Sequence, residues 1–319
     1  MLLVGTIREL EIELVWARLL ELGAEVYHVD PYVDHLAATT RSQGVLLRCR
    51  RAVIAASTLT GCYLRFPLCG EVPPIQLDRS LRQRVEIAAR RFASNYSSLQ
   101  ALLMHLDRAS IVNSPPAGWS NASKPVQVSL LARFGFRVPR TIVTNSCEHL
   151  TRWASTVGRI ICKGIGGHPL YAEEVDLERA LGGVRRSSSP LLFQEFVQGT
   201  NVRVHVVGPA TFAARILGGD RSDCRRGTDA RARSFRLPGQ IARACVEVTR
   251  ACGLVFSGID LIEASDGYVA LEVNPMPGYG WYELETKAPI SLAVARALLT
   301  RKPKSETDGT GPWREWLRP

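Results

Sequence analysis

The sequence predicts an α/β (α+β) protein in which an α/β domain precedes a second domain with antiparallel strands. At the N-terminus, apolar residues 2–5, helically spaced apolar residues in 9–22 and alternating residues 25–29 indicate a strand, a helix and a strand. Later, the apolar segments 202–207 and 210–217 follow each other closely, which favours an antiparallel pair. A chain of 319 residues has room for about two such domains.

The first domain is expected to cover residues 1–112. After the opening strand, helix and strand, residues 53–56 and 62–65 are short apolar runs typical of buried strands. Residues 81–106 repeat apolar side chains at helical spacing with arginines between them, which predicts one long helix. These elements together indicate an α/β unit with a partly parallel sheet.

The second domain is expected to cover residues 113–300, followed by a polar tail at 301–319. It opens on a linker at 113–123 that is rich in Pro, Gly, Ser and Asn. The apolar spacing predicts three helices, two of which end at a glycine: 125–134, 148–156 and 238–252. The remaining apolar runs predict strands: one that ends near Thr144, then 159–162, 191–197, 202–207 and 210–217.

Composition excludes several classes of protein. No run approaches the roughly 20 apolar residues of a membrane span, and the charged Arg8 and Glu9 argue against a signal peptide. The eight cysteines form no CxxC pair, so a structural zinc site is not expected. The same cysteine pattern is compatible with the cytoplasmic location that we expect. The net charge of +10 suits acidic partners. Aromatic residues are too sparse among the arginines of 215–236 to favour a nucleic-acid partner.

The sharpest pattern is a pair of alternating strands, 258–263 and 269–274, on either side of residues 265–267 (Ser-Asp-Gly). With a three-residue loop that ends in glycine, Asp260 faces Glu272 across the pair. A two-residue loop would turn Asp260 to the opposite face, so the prediction depends on the turn. An ordinary hairpin with a polar exposed face is the alternative.

Under that loop, Asp260, Glu272 and Asn274 converge on one face, because side chains alternate along a strand. The apolar neighbours are expected on the other face: Ile259, Leu261, Leu271 and Val273. Carboxylate and amide oxygens of this kind suit Mg²⁺ with a phosphate completing its coordination.

Lysines are rare in this arginine-rich chain, and only Lys124 and Lys163 lie in the middle of it. Lys163 ends a predicted strand and precedes a glycine-rich loop that contains Gly166 and Gly167. An ammonium beside such a loop can hold phosphate oxygens, with loop N–H groups as additional donors. Lys124 opens a predicted helix. A solvated lysine is the alternative for both.

A third segment joins two strands. In residues 191–208 an apolar strand breaks at the polar and aromatic residues 194–197, and the next strand carries Arg203 near its start. A broken strand leaves backbone N–H and C=O groups free, and these groups can form hydrogen bonds with the edge of an adenine. Arg203 is expected to point at a phosphate or a substrate carboxylate.

Taken together, these segments resemble the ATP-grasp superfamily, and within it the RimK-like, ribosomal-peptide-modifying (graspetide-type) branch. The resemblance covers about residues 113–295 and is carried by four stretches: Lys124-Pro125-Val126-Gln127, Val138-Pro139-Arg140-Thr141, Leu192-Phe193-Gln194-Glu195-Phe196, and 272–283. It implies an ATP-grasp fold with an N-terminal domain at 1–112, a lid subdomain at 113–195 and a C-terminal subdomain at 196–300.

The resemblance also implies a set of site residues. It places ATP against Lys124, Lys163, Gly166, Gly167, Gln194, Glu195, Phe196 and Val197. It places Arg203 and Arg215 over the phosphate and the acyl phosphate. It assigns Mg²⁺, as two ions, to Asp260, Glu272 and Asn274.

The activity implied by the resemblance is an ADP-forming ligase that activates a carboxylate as an acyl phosphate and joins it to an amine or hydroxyl. The substrate is expected to be an amino acid, a small peptide or a natural-product intermediate, with a macrocyclase acting on a ribosomal peptide as the alternative. A kinase that phosphorylates an alcohol is a further alternative. The resemblance also implies a homodimer.

One basic segment gives a clue to the substrate. Residues 223–227 (Asp-Cys-Arg-Arg-Gly) resemble a stretch that in this branch lies near the acceptor. Arg225 or Arg226 is expected to grip a carboxylate, since arginine binds carboxylates through two parallel hydrogen bonds. A solvated basic loop is the alternative.

Overall fold

The computed structural model describes residues 1–41, 44–49, 52–65, 79–103, 105–106, 110–114, 117, 123–163, 173–187, 189–218 and 230–300. Packing divides the chain into two units, Met1–Pro115 with Pro289–Pro319, and Pro116–Ala288. The first boundary lies close to the one expected at residue 112. The second differs, because we expected residues up to 300 to belong to the second domain.

The first unit contains most of the elements expected from its sequence. Its main elements are β1 (Leu2–Val4), α1 (Leu10–Glu21), β2 (Tyr27–Val29), β3 (Leu36–Arg41), β4 (Gly44–Cys49), β5 (Ala52–Ala55), β6 (Gly61–Leu64), α2 (Arg79–Leu103), β7 (Ser110–Val112) and α8 (Ile290–Leu299). Strands β2-β1-β6-β7 form the parallel sheet. Helix α8 packs on α1, β6 and β7, because it buries Ile290, Val294 and Leu298 at a spacing of one helical turn.

A second, antiparallel sheet in this unit has the order β3-β4-β5. We predicted only β5 from the sequence. Strand β4 buries Val45, Leu47 and Cys49 with a period of two, as expected for a strand with one covered face. The apolar Leu46 between them hides this alternation in the sequence.

The second unit contains two antiparallel sheets, of which the smaller has the order β10-β9-β11-β8. Its elements are β8 (Thr141–Thr144), α4 (Cys147–Ala154), β9 (Ile160–Lys163), β10 (Glu173–Val175), α5 (Leu177–Arg186) and β11 (Leu191–Glu195). Leu150 of α4, Val184 of α5 and Phe193 of β11 meet in one buried cluster. The two helices therefore cover one face of this sheet.

The larger sheet has the order β14-β13-β12-β15-β16. Its elements and neighbouring helices are α3 (Lys124–Arg133), β12 (Thr200–Val207), β13 (Ala210–Leu217), β14 (Arg231–Phe235), α6 (Gly239–Ala251), β15 (Phe256–Ala264), β16 (Gly267–Asn274) and α7 (Gly280–Thr286). Val202, Val204 and Leu261 share a core with Val248 of α6. Because side chains alternate, the residues between them point to the other face of the sheet.

Helix α2 is long enough to be considered as a membrane span, with 25 residues. Arginines recur along it, from Arg79 to Arg91, and charged side chains are costly in the bilayer core. Among the residues that the structure describes, no helix combines the length and apolar character needed to cross a membrane.

Candidate active site

The face of the larger sheet away from α6 carries the polar residues that the sequence indicated. Arg203 of β12 pairs with Asp260 of β15, which pairs with Glu272 of β16, and Gly258 pairs with Asn274. Directly paired residues of antiparallel strands point to the same face. The structure therefore brings Asp260, Glu272 and Asn274 onto one face together with Arg203.

The turn that leads to this arrangement differs from the expected one. The strands close at Ala264 and Gly267, so the loop has two residues and not three. Such a loop alone would turn Asp260 to the opposite face. A β-bulge between Asp260 and Leu261 shifts the register by one residue, so that Asp260 still pairs with Glu272.

The same bulge changes which apolar residue enters the core. We expected Leu271 to lie with Ile259 and Leu261 on the covered face. Instead, Ala270 pairs with Leu261 and belongs to that core, whereas Leu271 is partly exposed. The prediction for Leu271 was wrong because an extra residue in one strand cannot be read from alternation alone.

Lys124 reaches this face from the first residue of α3. Its Nζ lies 2.7 Å from Oε2 of Glu272. One turn along the helix, the buried Gln127 donates from Nε2 to the carbonyl of Val273 at 2.7 Å. These contacts with successive residues of β16 fix the start of α3, so the ammonium faces the carboxylate.

Glu272 is surrounded by positive charge. Burial alone would raise the pKa of its carboxyl, but the charges of Lys124, Lys163 and Arg203 outweigh burial and lower the pKa to about 2. Lys163 is the last residue of β9, at the strand end that the sequence indicated. Both mid-chain lysines therefore act on the same carboxylate.

The guanidinium of Arg203 lies against Asp260, with Nε 2.9 Å from Oδ1. A Cβ on Gly258 would lie 2.5 Å from Nη1 of Arg203, so the glycine leaves the space that the guanidinium occupies. Within the described residues, Nη1 makes no hydrogen bond. Burial alone would lower the pKa of Arg203, but Asp260 and Glu272 help to raise it instead. The group stays charged and has donors to offer an anion.

The oxygen atoms on this face suit a divalent cation such as Mg²⁺. Asp260 and Glu272 supply carboxylates, and Asn274 supplies an amide oxygen. Oδ1 of Asn274 accepts a hydrogen bond from the N–H of Met276 at 2.8 Å, and an amide oxygen has a second lone pair. The third group is an amide, and the part of the chain that is described contains no group of three His, Cys, Asp or Glu side chains that could hold a metal ion.

Arg215 does not lie with Arg203, although the sequence grouped the two. It pairs with Val202, whose side chain belongs to the core on the opposite face. Its guanidinium binds both carboxylate oxygens of Glu263, at 2.6 and 2.8 Å, and its Cζ lies 3.8 Å from the ring centroid of Phe235. The register of β12 and β13 pairs residues that are an odd number of positions apart, such as Arg203 with Ala214. Arg203 and Arg215 are an even number of positions apart, so they point to opposite faces.

Strand β11 ends at Glu195, two residues before the end of the predicted strand 191–197, but backbone bonding continues into the segment 194–197, where we expected a break. Its first residue is buried within that strand. The N–H groups of Glu195 and Phe196 donate to the carbonyls of Arg140 and Arg159, at 3.0 and 2.9 Å. The break in bonding that the sequence indicated therefore begins only after the third residue of the segment.

Three predicted site residues lie outside the described residues: Gly166, Gly167 and Arg225. Arg226, the alternative to Arg225, lies outside them as well. Their roles stay predictions.

Sequence reasoning missed three residues beside Arg203. They are Gly258, His205 and Tyr282. Gly258 leaves room for the guanidinium, the ring of Tyr282 lies near it, and His205 is two positions along β12. His205 follows Arg203 by two positions, so the alternation of β12 was a signal that could have found it. Tyr282 lies in α7, a helix that we did not predict.

A separate groove of about 260 Å³ lies at α6 and the turn between β12 and β13. It is lined by Pro209, Thr211, Ala242, Arg243, Val246, Glu247 and Arg250. None of the predicted site residues borders it.

Comparison with known proteins places this geometry in context. A family model described as the RimK-like ATP-grasp domain matches residues 122–298. The tetrahydromethanopterin:alpha-L-glutamate ligase of Methanocaldococcus jannaschii is 25% identical over 207 residues, which are 60% of this chain and 70% of that protein. A probable alpha-L-glutamate ligase of Cellvibrio japonicus is 28% identical over 195 residues, which are 56% of this chain and 64% of that protein.

Solved structures match over more of the chain. The ATP-grasp ligase PsnB, complexed with its minimal precursor, has a TM-score of 0.74 at 25% identity and covers 93% of this chain and 97% of its own. The macrocyclase MdnC of Microcystis aeruginosa, bound with the precursor peptide MdnA, has a TM-score of 0.76 at 22% identity, with coverage of 93% and 98%. In contrast, the chain spans only 62–70% of the length of the first curated relatives.

Proposed function

Because this chain belongs to the RimK-like ATP-grasp domain family, we propose that it uses ATP and Mg²⁺ to activate a substrate carboxylate and joins it to an amine or hydroxyl. The family, the fold and the ligase class expected from the sequence are confirmed by that match and by the ligases that resemble the chain. The observation that carries the proposal is the convergence of Lys124, Lys163 and Arg203 on the Asp260–Glu272 pair.

In the proposed reaction, a carboxylate oxygen of the substrate attacks the γ-phosphorus of ATP. A carboxyl oxygen–phosphorus bond forms, the bond from that phosphorus to the bridging oxygen breaks, and ADP leaves. The amine or hydroxyl then attacks the carbonyl carbon, phosphate leaves with the bonding pair, and the nucleophile loses its proton. Lys124, Lys163 and Arg203 neutralise the phosphate oxygens, which is the main task in phosphoryl transfer.

Asp260, Glu272 and Asn274 are the residues that would hold Mg²⁺, as two ions. The metal would supply positive charge next to the phosphate oxygens during transfer. Glu272 suits this role because its low pKa of about 2 keeps it ionised across the neutral range.

The adenine is proposed to bind at residues 194–197. Since the N–H groups of Glu195 and Phe196 already donate to backbone carbonyls, Val197 would offer the N–H donor at the end of the segment. Phe196 packs under Arg159, whose Cζ lies 3.6 Å from the ring centroid. That contact would hold the segment in place when a base arrives.

The substrate proposed for this site is a peptide with acidic side chains. PsnB was solved with a precursor peptide and resembles 93% of this chain at 25% identity, whereas the glutamate ligases match 60% and 56% of it. A net charge of +10 favours an acidic ligand. A free amino acid such as glutamate is the alternative, and Arg225 is proposed to grip a carboxylate in either case.

The reaction is proposed to take place in the cytoplasm, where ATP is abundant. The cysteines that the structure describes are free thiols, at positions 49, 62, 147, 162, 245 and 252, which suits a reducing compartment. The homodimer and the lack of nucleic-acid binding stay predictions, which light scattering and a filter-binding assay would check.

The test is ADP release with ATP, Mg²⁺ and a panel of acidic peptides and free amino acids, with mass spectrometry of the products. A ligated peptide loses one water for each bond formed. Hydroxylamine in place of the acceptor should give a hydroxamate, because it attacks an acyl phosphate. A phosphorylated product without hydroxamate would instead support the kinase alternative.

Two variants make this test specific. Lys124→Ala should lower ADP release by about 100-fold, the order expected when one charged donor is removed from a transition state. Arg152→Ala removes a cation whose partner Glu148 is exposed and should leave the rate within twofold. Equal rates for both variants would contradict the proposed site.

A further inference from the structure

A cluster of rings lies beside Arg203 on the same face of the sheet. His205 follows Arg203 by two positions in β12, and its side chain is 1% exposed. Its ring centroid lies 6.3 Å from those of Phe256 and Tyr279, and 5.0 Å from that of Tyr282. The reaction described above gives this buried histidine no part.

His205 connects β12 to the chain that follows the proposed metal ligands. Its Nε2 lies 3.2 Å from the carbonyl oxygen of Gly278. Burial, and then the charge of Arg203, lower the pKa of His205 to about 3. The ring is therefore neutral, and the tautomer with hydrogen on Nε2 donates to that carbonyl. This bond fixes the connection between β16 and α7.

Pro277 of this connection and Tyr282 of α7 lie on two sides of the guanidinium. A Cβ on Gly258 would meet Nη1 of Arg203 at 2.5 Å and Cβ of Pro277 at 2.6 Å, so Pro277 and the guanidinium share that space. The ring centroid of Tyr282 lies 5.7 Å from Cζ of Arg203. Pro277 and Tyr282 therefore limit where the guanidinium can lie beside Asp260.

We propose that His205 and Tyr282 are positioning residues that hold the guanidinium of Arg203 where it meets the terminal phosphate of ATP. His205 acts through the bond to Gly278 and through its contact with Tyr282. This inference rests on the proposed function, because that function assigns Arg203 to the phosphate. Neither residue contacts the nucleotide in this account.

The test compares the dissociation constants (Kd) of Mg²⁺–ADP and of Mg²⁺–adenylyl imidodiphosphate, an ATP analogue that keeps a terminal phosphate, for the full-length protein by calorimetry. His205→Phe keeps a ring but removes the donor, and should lower the preference for the analogue over ADP by about tenfold. His205→Gln keeps an N–H donor and should retain most of the preference. Tyr282→Leu should repeat the loss, and it serves if His205→Phe does not fold.

A second set of variants separates positioning from general damage. In a protein that already carries Arg203→Lys, His205→Phe should change the preference for the analogue by less than about twofold. The guanidinium that His205 is proposed to position is absent from that protein. Val204→Ala alters the same strand on the opposite, covered face, and should lower stability without changing the preference.

The inference is overturned if His205→Phe leaves the preference for the analogue unchanged or lowers it no more than Val204→Ala does. It is also overturned if His205→Phe lowers the preference equally with Arg203 and with Arg203→Lys. These outcomes leave the proposed function standing, since wild-type protein still binds both nucleotides. A wild-type protein that binds neither nucleotide would overturn the proposed function, and this inference with it.

Discussion

Nζ of Lys124 lies 2.7 Å from Oε2 of Glu272, so a lysine proposed for phosphate is held by a carboxylate proposed for Mg²⁺. Arg203 and Asp260 form a second pair of this kind at 2.9 Å. Without metal, each carboxylate therefore neutralises a cation that the nucleotide needs. The carboxylates should suppress binding of ATP that carries no metal.

Glu272→Gln should consequently tighten the binding of metal-free ATP, measured by calorimetry with a chelator present. Removing the negative charge frees Lys124 and leaves one more positive charge at the site. We expect an increase of about tenfold in affinity, the scale of one charge-assisted hydrogen bond. With Mg²⁺ present, the same variant should bind ATP more weakly than wild type.

Glu148→Gln is the matched control, since Glu148 is an exposed acid paired with Arg152. It should change neither affinity. Weaker binding of metal-free ATP by Glu272→Gln would contradict the role given to the Lys124–Glu272 pair.

Gly258 is expected to tolerate no side chain. An added Cβ would meet Nη1 of Arg203 and the ring of Pro277, so Gly258→Ala should displace the guanidinium and lower ADP release by about tenfold or more. Gly239→Ala is the control, because the nearest atom to its Cβ is Nη1 of Arg243 at 3.6 Å. Equal activity of the two variants would show that the guanidinium does not need this space.

Arg215 should contribute to stability and not to the reaction. Arg215→Ala removes the bidentate pair with Glu263, whose side chain is 29% exposed, and should lower the free energy of unfolding by about 1 kcal/mol. ADP release should stay within twofold. Arg203→Ala should lower ADP release by about 100-fold. A larger loss of ADP release in Arg215→Ala than in Arg203→Ala would contradict the assignment of the two arginines to opposite faces of the sheet.

Acid should destabilise the protein through His205. The folded-state pKa of His205 is about 3, below the value near 6.5 in an unfolded chain. The unfolded state therefore takes up the proton first, and the stability from the neutral ring is complete above pH 6.5 and lost as pH falls. Chemical denaturation at pH 7 and pH 5 should show a loss of about 2 kcal/mol through this group. His205→Phe should lack that part of the pH dependence, and an unchanged dependence would contradict the assignment.

Alternation along strands predicted most of the candidate site. It placed Glu272 with Asn274, and the apolar run before Lys163 placed that lysine at a strand end. Both features are present. It could not predict the bulge at Asp260, because a bulge inserts a residue without a mark in the hydrophobic pattern. The predicted three-residue turn was wrong, because the loop has two residues. The bulge shifts the register by one residue, so Asp260 still pairs with Glu272.

Other differences have a tertiary cause. Arg215 was grouped with Arg203 on the resemblance, although the register of β12 and β13 pairs Arg203 with Ala214 and so places Arg215 on the covered side of the sheet. Residues up to 300 were assigned to the second domain, and helix α8 within them was not predicted. Its apolar face is buried in the first unit instead, and sequence order does not specify which core an amphipathic helix joins.

The most direct test of the central claim follows a heavy-oxygen label from the substrate to phosphate. A substrate carboxylate labelled with heavy oxygen is incubated with ATP, Mg²⁺, the acceptor and the wild-type protein, and the phosphate released is examined by mass spectrometry. Activation through an acyl phosphate predicts that one labelled oxygen appears in inorganic phosphate for each bond formed, with ADP as the other product. Bond formation with unlabelled phosphate, or with the label in AMP, would contradict the account.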